Sequence, residues 1–346
     1  MLKRIAIFLI INLLMVVLFS SVHASLKEVK TGKISGGLGD ALEHAIPSWF
    51  KDSFLDIEDD VAQASSEKKH VMLFFYLNDC PYCYKMLKDS FSETGHQQFI
   101  KDNFDVIAIN TKGDREVAFT QELSLTEKQL TQKLKVQYTP AILFLDANNK
   151  IVTRLNGYRS ANKFKSVLNY VSNRAYEVLS LSEYLSQQES QNNYVFRKNP
   201  MFQSIANFSN IKTPLAIVFE DKSCVACLDW HNNILNNEEV IKELKKFTIV
   251  RLDAESEEEI IALDGHKTTA KNWARSAAIT YRPGILLYDQ GREVTRIDGM
   301  LYSFHFKEVF RYVSSRAYLQ HNSYLEYLAK RQTELLNKGI NINIAN

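Results

Sequence analysis

Two unbroken apolar runs, Val71–Leu77 (VMLFFYL) and Leu215–Phe219 (LAIVF), are each bounded by polar residues. Runs of this length read as strands buried on both faces. Each leads directly into a C-x-x-C pair and then into a polar–apolar stretch with helical spacing, 84–91 or 228–235. A second apolar strand is expected at 106–110 and 247–252, and a helical region at 126–134 and 268–277. A proline-led strand comes next (141–145 or 284–288), then a polar turn and a further strand (151–155 or 293–297). Each series closes on an amphipathic helix beginning near Phe164 or Phe306. The second of these is expected to form one aromatic-rich helix over 304–329, whose spacing predicts a packed face rather than a binding groove.

The two series are copies. VMLFFYLNDCPYC (71–83) matches LAIVFEDKSCVAC (215–227), with the cysteine pairs 144 residues apart. YTPAILF (138–144) matches YRPGILL (281–287) at an offset of 143, and NGYRSANKFKSVLNYVSNRAY (156–176) matches DGMLYSFHFKEVFRYVSSRAY (298–318) at 142. Three blocks in one order with nearly constant offset indicate a duplicated domain. The expected fold class is α/β: two tandem domains, each a central mixed β-sheet flanked by helices. The boundaries read as 47–190 and 191–335, with the polar stretch 186–193 (SQQESQNN) as the joint and 336–346 as a C-terminal tail.

Residues 1–24 have a different character. Lys3 and Arg4 precede a 15-residue apolar run, Ile5–Phe19, and small residues follow up to Ala24. This is the form of a secretory signal peptide, and the run is short for a spanning helix, which needs about 20 residues. An uncleaved anchor is the alternative. Residues 25–46 read as a leader. Removing 1–24 takes the formal charge from +2 to zero. The chain of 346 residues, with 45% hydrophobic and 11% aromatic residues, has enough apolar material for two packed cores. A charge near zero gives no electrostatic case for nucleic acid. The expected location is an exported, oxidising compartment, the periplasm.

All four cysteines, Cys80, Cys83, Cys224 and Cys227, fall in the two C-x-x-C pairs. A cysteine at the first turn of a helix meets unpaired backbone N–H groups and the positive end of the helix dipole, and both favour thiolate. A second cysteine three residues on can attack the resulting mixed disulfide and release the partner. Cys80 is therefore the expected nucleophile and Cys83 the resolving thiol, with Cys224 and Cys227 at matching positions. Asp79 would oppose thiolate formation at Cys80, while Lys222 would favour it at Cys224. Two other readings stay open: a Cys₄ zinc site, against which stand the separate strands behind each pair, and a structural disulfide, which in so small a loop restrains little chain entropy. Val-Ala inside the second pair leaves room for a docking or relay role there.

With strand–CPYC–helix (73–87) and Thr139-Pro140 before a strand, the chain resembles the thioredoxin superfamily, twice over, and within it the exported bacterial-envelope branch. The resemblance implies a thiol–disulfide oxidoreductase acting on protein disulfides or dithiols, with reduction or relay favoured over oxidation. It implies no cofactor beyond the redox-active disulfides, and a membrane or periplasmic electron donor. It further implies that Thr139 and a cis Pro140, with Pro81 and Tyr82, dock the substrate chain, and that Arg282-Pro283 is the counterpart in the second copy. The superfamily's buried acid, six residues before the first cysteine, would fall on Phe74 or Val218, which are apolar. Asn78-Asp79 and Pro81-Tyr82 also depart from the cytoplasmic thioredoxin pattern, and Pro-Tyr is shared with glutaredoxins, so glutathione-dependent exchange stays open. A thioredoxin-like chaperone or scaffold with incidental cysteines is the alternative from another functional class. His231, four after Cys227, reads as a core or surface histidine, and Trp49, Trp230 and Trp273 as core or interface residues.

Overall fold

The computed structural model describes residues 31–35, 46–78, 80–92, 95–188, 194–222 and 224–344. The expected signal segment 1–24, most of the leader 25–46, Asp79 and residues 189–193 of the joint lie outside these.

Each half builds the same four-stranded sheet. In the first, β2 (His70–Tyr76) pairs in parallel with β3 (Phe104–Asn110) and antiparallel with β6 (Ala141–Leu145), which pairs antiparallel with β7 (Ile151–Asn156). In the second, β8 (Leu215–Glu220), β9 (Thr248–Asp253), β12 (Gly284–Asp289) and β13 (Arg292–Ile297) repeat that order and those directions. The strand period sends alternate residues to opposite helix layers. Met72 and Phe74 join the core that holds Cys83, Phe91 and Phe164, whereas Val71, Leu73 and Phe75 join the core of Ile57, Val61 and Leu130. Ala216 and Val218 part from Leu215, Ile217 and Phe219 in the same way. A run apolar at every position is thus what a sheet covered on both faces requires.

The first half's helices are α1 (Ile57–Ser66), α2 (Pro81–Met86), α3 (His96–Asn103), α4 (Glu127–Lys133), α5 (Ala161–Ser172) and α6 (Leu181–Gln188). The second half's are α7 (Val225–Asp229), α8 (Glu238–Leu244), α9 (Ala270–Ser276), α10 (Ser303–Ser314) and α11 (Tyr324–Asn337). Both α2 and α7 continue through a π-helical turn, Leu87–Phe91 or Trp230–Ile234. Side-chain caps fix several starts: Thr126 and Gln129 form a capping box on α4, and Ser323 accepts from Glu326 N on α11.

Three differences from the sequence reading stand out. The single helix expected over 304–329 is two, α10 and α11, broken where Arg316 takes a left-handed φ of 56° and a short 3₁₀ turn follows. Before each middle helix lies an unanticipated hairpin, β4 (Glu116–Thr120) with β5 (Leu123–Thr126), and β10 (Glu259–Ile261) with β11 (Lys267–Thr269). The acidic run 255–259 is exposed beside this second hairpin, where Glu259 pairs with Lys267 and Glu257 with Lys271, each at 2.9 Å. Finally, β14 (Ile342–Asn343) pairs in parallel with β1 (Ile34–Ser35), tying the C-terminal segment to residues near the start of the chain. Among the described residues, no helix is long and apolar enough to cross a membrane.

The halves meet through equivalent loops. Tyr158 and Met300, which occupy the same repeat position, form an antiparallel bridge. The approach is close enough that a Cβ on Gly299 would lie 2.2 Å from Asn156 O. Arg159 is buried there. It donates to Asn156 O and Asp298 O (both 2.8 Å), lies 3.8 Å from the Asp298 carboxylate and covers the Tyr281 ring at 4.8 Å. Asp298 in turn accepts from Thr280 N, Tyr281 N and Thr280 Oγ1 at 2.7–2.9 Å. Burial raises the Asp298 carboxyl above its ordinary value, against the pull of Arg159 and these hydrogen bonds.

Candidate functional site: two disulfides in unlike surroundings

Cys80–Cys83 and Cys224–Cys227 are both disulfides, with Cα–Cα separations of 5.2 and 5.3 Å. The local build is the same in each. The strand ends, the chain turns so that Cys80 N donates to Leu77 O and Cys224 N to Asp221 O, and the first cysteine becomes the helix N-cap. Its Sγ accepts the N–H of the second cysteine, at 3.1 Å in the first pair and 3.0 Å in the second. That N–H belongs to the first helical turn, which lacks α-type partners; in the first pair it is shared with Cys80 O at 3.1 Å, and in both it would stabilise negative charge on the same sulfur. Proline at the first helical position of α2 removes a donor that the helix could not have used. The second cysteines, Cys83 and Cys227, are fully buried behind the first.

The surroundings then diverge. Cys80, 5% exposed, lines a cavity of about 290 Å³ together with Pro81, Tyr82 and Thr139. The far side of that cavity belongs to the second domain: Gly299–Leu301, His305, the α11 residues Tyr324, Leu328 and Gln332, and Ile344. Tyr82, between the cysteines, is gripped from that side. Its ring stacks on Tyr302 with centroids 5.3 Å apart, and its oxygen accepts from Tyr302 N at 3.0 Å. The same oxygen is hydrogen-bonded to His305 Nδ1, also 3.0 Å away. Burial raises the Tyr82 phenol above its ordinary value, which keeps it protonated, and lowers His305 to about 4, which keeps the imidazole neutral. Next to Thr139, Tyr138 crosses into the second domain's core, donating to or accepting from Thr295 Oγ1 at 2.8 Å. The Thr139–Pro140 bond is cis, and buried Pro140 accepts from Gly157 N at 2.8 Å.

The second pair faces its own chain. Cys224, 2% exposed, and Cys227 pack against Tyr194, with Phe196 alongside. Tyr194 N donates to Lys222 O at 2.8 Å, and Tyr194 OH donates to buried Glu220 at 2.9 Å. His231 Nε2 meets the other Glu220 oxygen at 2.9 Å, so this histidine is a buried partner of a carboxylate. Arg282, before the cis bond to buried Pro283, lines a separate pocket of about 210 Å³ with Ala254, Ala274 and Arg275, away from the cavity of Cys80. Its Nε donates to Asp221 Oδ2 at 2.6 Å and its guanidinium also reaches the carbonyls of Ile279 and Tyr281. Thus Cys80, Pro81, Tyr82 and Thr139 share one cavity, whereas Cys224 is covered by its own chain and Arg282 is tied to Asp221.

Phe74 and Val218, at the superfamily's acid position, lie in the cores as apolar residues. The buried acid near the second pair is Glu220, at the end of β8, and the first copy has Tyr76 in its place. Tyr194, Glu220, Tyr302 and His305 were not singled out by sequence reasoning. A carboxylate at the end of an otherwise apolar run was the available signal for Glu220; contacts between residues more than 200 positions apart left none for His305. Among the described residues, no group of three or more His, Cys, Asp or Glu side chains is arranged to hold a metal ion.

A thioredoxin-like domain model matches residues 57–172 and again 201–314. A curated relative, the thiol:disulfide interchange protein DsbD of Photorhabdus laumondii, is 32% identical over 105 residues, 30% of this chain and 16% of that protein. The chain thus spans about a sixth of that relative's length. Among solved structures, a thioredoxin-fold protein from Helicobacter pylori is 23% identical (39% of this chain, 91% of that one, TM-score 0.31). The oxidised C-terminal domain of Neisseria meningitidis DsbD is 18% identical (34% and 90%, TM-score 0.24).

Proposed function

Because the chain belongs to the thioredoxin-like domain family over both of its halves, we propose that it is a thiol–disulfide oxidoreductase working through Cys80 and Cys83. One observation carries the assignment: Cys80 caps a helix with its sulfur on the Cys83 N–H while lining a cavity with Thr139. In the reduced enzyme the Cys80 thiolate attacks one sulfur of a client disulfide. The client's S–S bond breaks, its other sulfur leaves as thiolate, and Cys80 holds the client as a mixed disulfide. Thr139 and Pro140 are the docking edge for that chain, with Pro81 and Tyr82 forming the floor. The Cys83 thiolate then attacks Cys80 Sγ, expelling the client as a thiol and closing the Cys80–Cys83 disulfide. The client has gained two electrons and two protons: one is the proton Cys83 gives up as it becomes the attacking thiolate, and the other comes from solvent. Run backwards, the same steps oxidise a dithiol. Reduction or relay is the direction we favour.

Cys224 and Cys227 form a second exchange centre in this reading, one that works only once Tyr194 has moved aside, with Arg282 and Pro283 beside it. Clients are protein disulfides or dithiols, and the electron source is a dithiol partner in the membrane or periplasm. Residues 1–24 place the enzyme in the periplasm under the same proposal, by the basic start and short apolar run. The test is Cys83→Ser expressed in the native host. A client should accumulate bound through Cys80, be released by dithiothreitol, and be absent from Cys80→Ser/Cys83→Ser. If Cys83→Ser traps nothing, the exchange mechanism is wrong.

A further inference from the structure

The cavity before Cys80 is small, at about 290 Å³, near the lower end of clefts that hold small-molecule ligands. It is also not isolated. A groove of about 1430 Å³ follows the seam between the domains, and Lys112 and Leu325 line both spaces. The two ends differ in chemistry. Next to Cys80 the walls include the apolar Leu77, Met300, Leu301, Leu328 and Ile344, with Asn78, Thr139 and Gln332 among the polar groups between them. Along the seam, Asp289 is paired with Arg316 and Glu293 with Arg296, and Glu326 is held by Asn322. Lys112, Lys128, Lys135, Arg292 and Lys330 then face the groove against two carboxylates that no Lys or Arg neutralises among the described residues, Asp114 and Glu326.

From this geometry we propose that the client is an extended polypeptide segment, apolar beside its cysteine and acidic further along, threaded between the two domains. The inference rests on the exchange reading above and adds the class of substrate. A disulfide on the face of a folded protein would have to bring a whole surface to a sulfur that is 5% exposed and walled by α11 and Ile344. A single strand needs only the width of the seam. The apolar end fills the cavity by removing client and wall surface from water, and the acidic portion meets the row of cations. In this arrangement the second domain determines specificity for the first domain's cysteines.

The test uses the full chain, reduced with dithiothreitol as the dithiol donor, on three probes. Each carries the same mixed disulfide between one cysteine and a chromophoric aryl thiol. In two, the cysteine lies in a linear peptide with flanking leucines and an acidic or a basic tail; in the third, it is on the surface of a folded protein. Attack by Cys80 on the cysteine sulfur releases the aryl thiolate, closure of Cys80–Cys83 releases the reduced carrier, and dithiothreitol reduces the enzyme again. The acidic peptide should exceed the basic one by about tenfold in kcat/KM, the equivalent of about 1.4 kcal/mol. That preference should shrink with added salt, and the folded carrier should be slowest. Lys128→Glu/Lys135→Glu should invert the preference between the peptides. Gln332→Trp, which narrows the cavity beside Leu328, should slow both peptides. With rates taken above the release by dithiothreitol alone, equal rates on all three probes would overturn the threaded substrate and leave the exchange reading intact; no enzyme-dependent release from any probe would sink both.

Discussion

Lowering the pH from 7.5 to 5 should loosen the contact between the domains through His305, and replacing that residue with asparagine should remove the effect. Burial lowers the histidine to about 4 in the folded chain, against an ordinary value of 6.5. The unfolded chain therefore takes up the proton first, and stability is lost as pH falls. The contribution is whole above 6.5 and gone near 4. At pH 5 a single such group costs about 2 kcal/mol relative to pH 7.5, an upper bound because partial contact with water screens the charge. The physical event is the charging of a desolvated imidazole whose Nδ1 lies 3.0 Å from the Tyr82 oxygen. His305→Asn keeps an acceptor for Tyr82 and cannot titrate. Urea unfolding of both proteins at pH 7.5, 6 and 5 measures the difference, and subtracting the variant cancels the other titrating groups. The deficit should appear in the transition that exposes His305. Parallel curves for the two proteins across this range would refute the claim that the neutral imidazole secures Tyr82.

Gly299→Ala places a methyl group 2.2 Å from Asn156 O, a backbone atom that cannot swing away, and should destabilise the domain contact by about 1–3 kcal/mol. Differential scanning calorimetry should show the domains unfolding as more separate events, and an unchanged trace would contradict the close approach. Tyr194→Ala uncovers the second pair. After reduction, iodoacetamide should label Cys224 at a rate approaching that of Cys80, whereas the unaltered chain should label Cys80 first. Mass spectrometry of the alkylated peptides reads both rates, and no change at Cys224 would mean that something other than Tyr194 covers it.

What could be read from the sequence was local or repeated. Val71–Leu77 and Leu215–Phe219 announce strands because a sheet covered on both faces needs apolar residues at every position. Their junction with C-x-x-C then fixes where the sulfurs lie. The hairpins β4–β5 and β10–β11 escaped because their strands are only three to five residues long and half polar, too short for even the alternation of Leu123–Thr126 to stand out. The join between α10 and α11 escaped because apolar residues continue at helical spacing through a turn made only by Arg316 and a 3₁₀ step. The unlike fates of the two cysteine pairs were illegible for another reason. The motifs are locally equivalent, and the difference lies in what folds over them: His305 and Tyr302 on Tyr82 from more than 200 residues away, and Tyr194 on Cys224 from 30.

The pairing of Tyr158 with Met300 has a consequence for assembly. Residues in the same place in each repeat touch each other, the relation that defines the face of a two-fold homodimer. Joining both copies in one chain makes that association independent of protein concentration. It also frees the two sides of the interface to differ, so that one copy can shelter a reactive sulfur while the other supplies its roof. A dimer of identical subunits would have to present the same side chains on both sides.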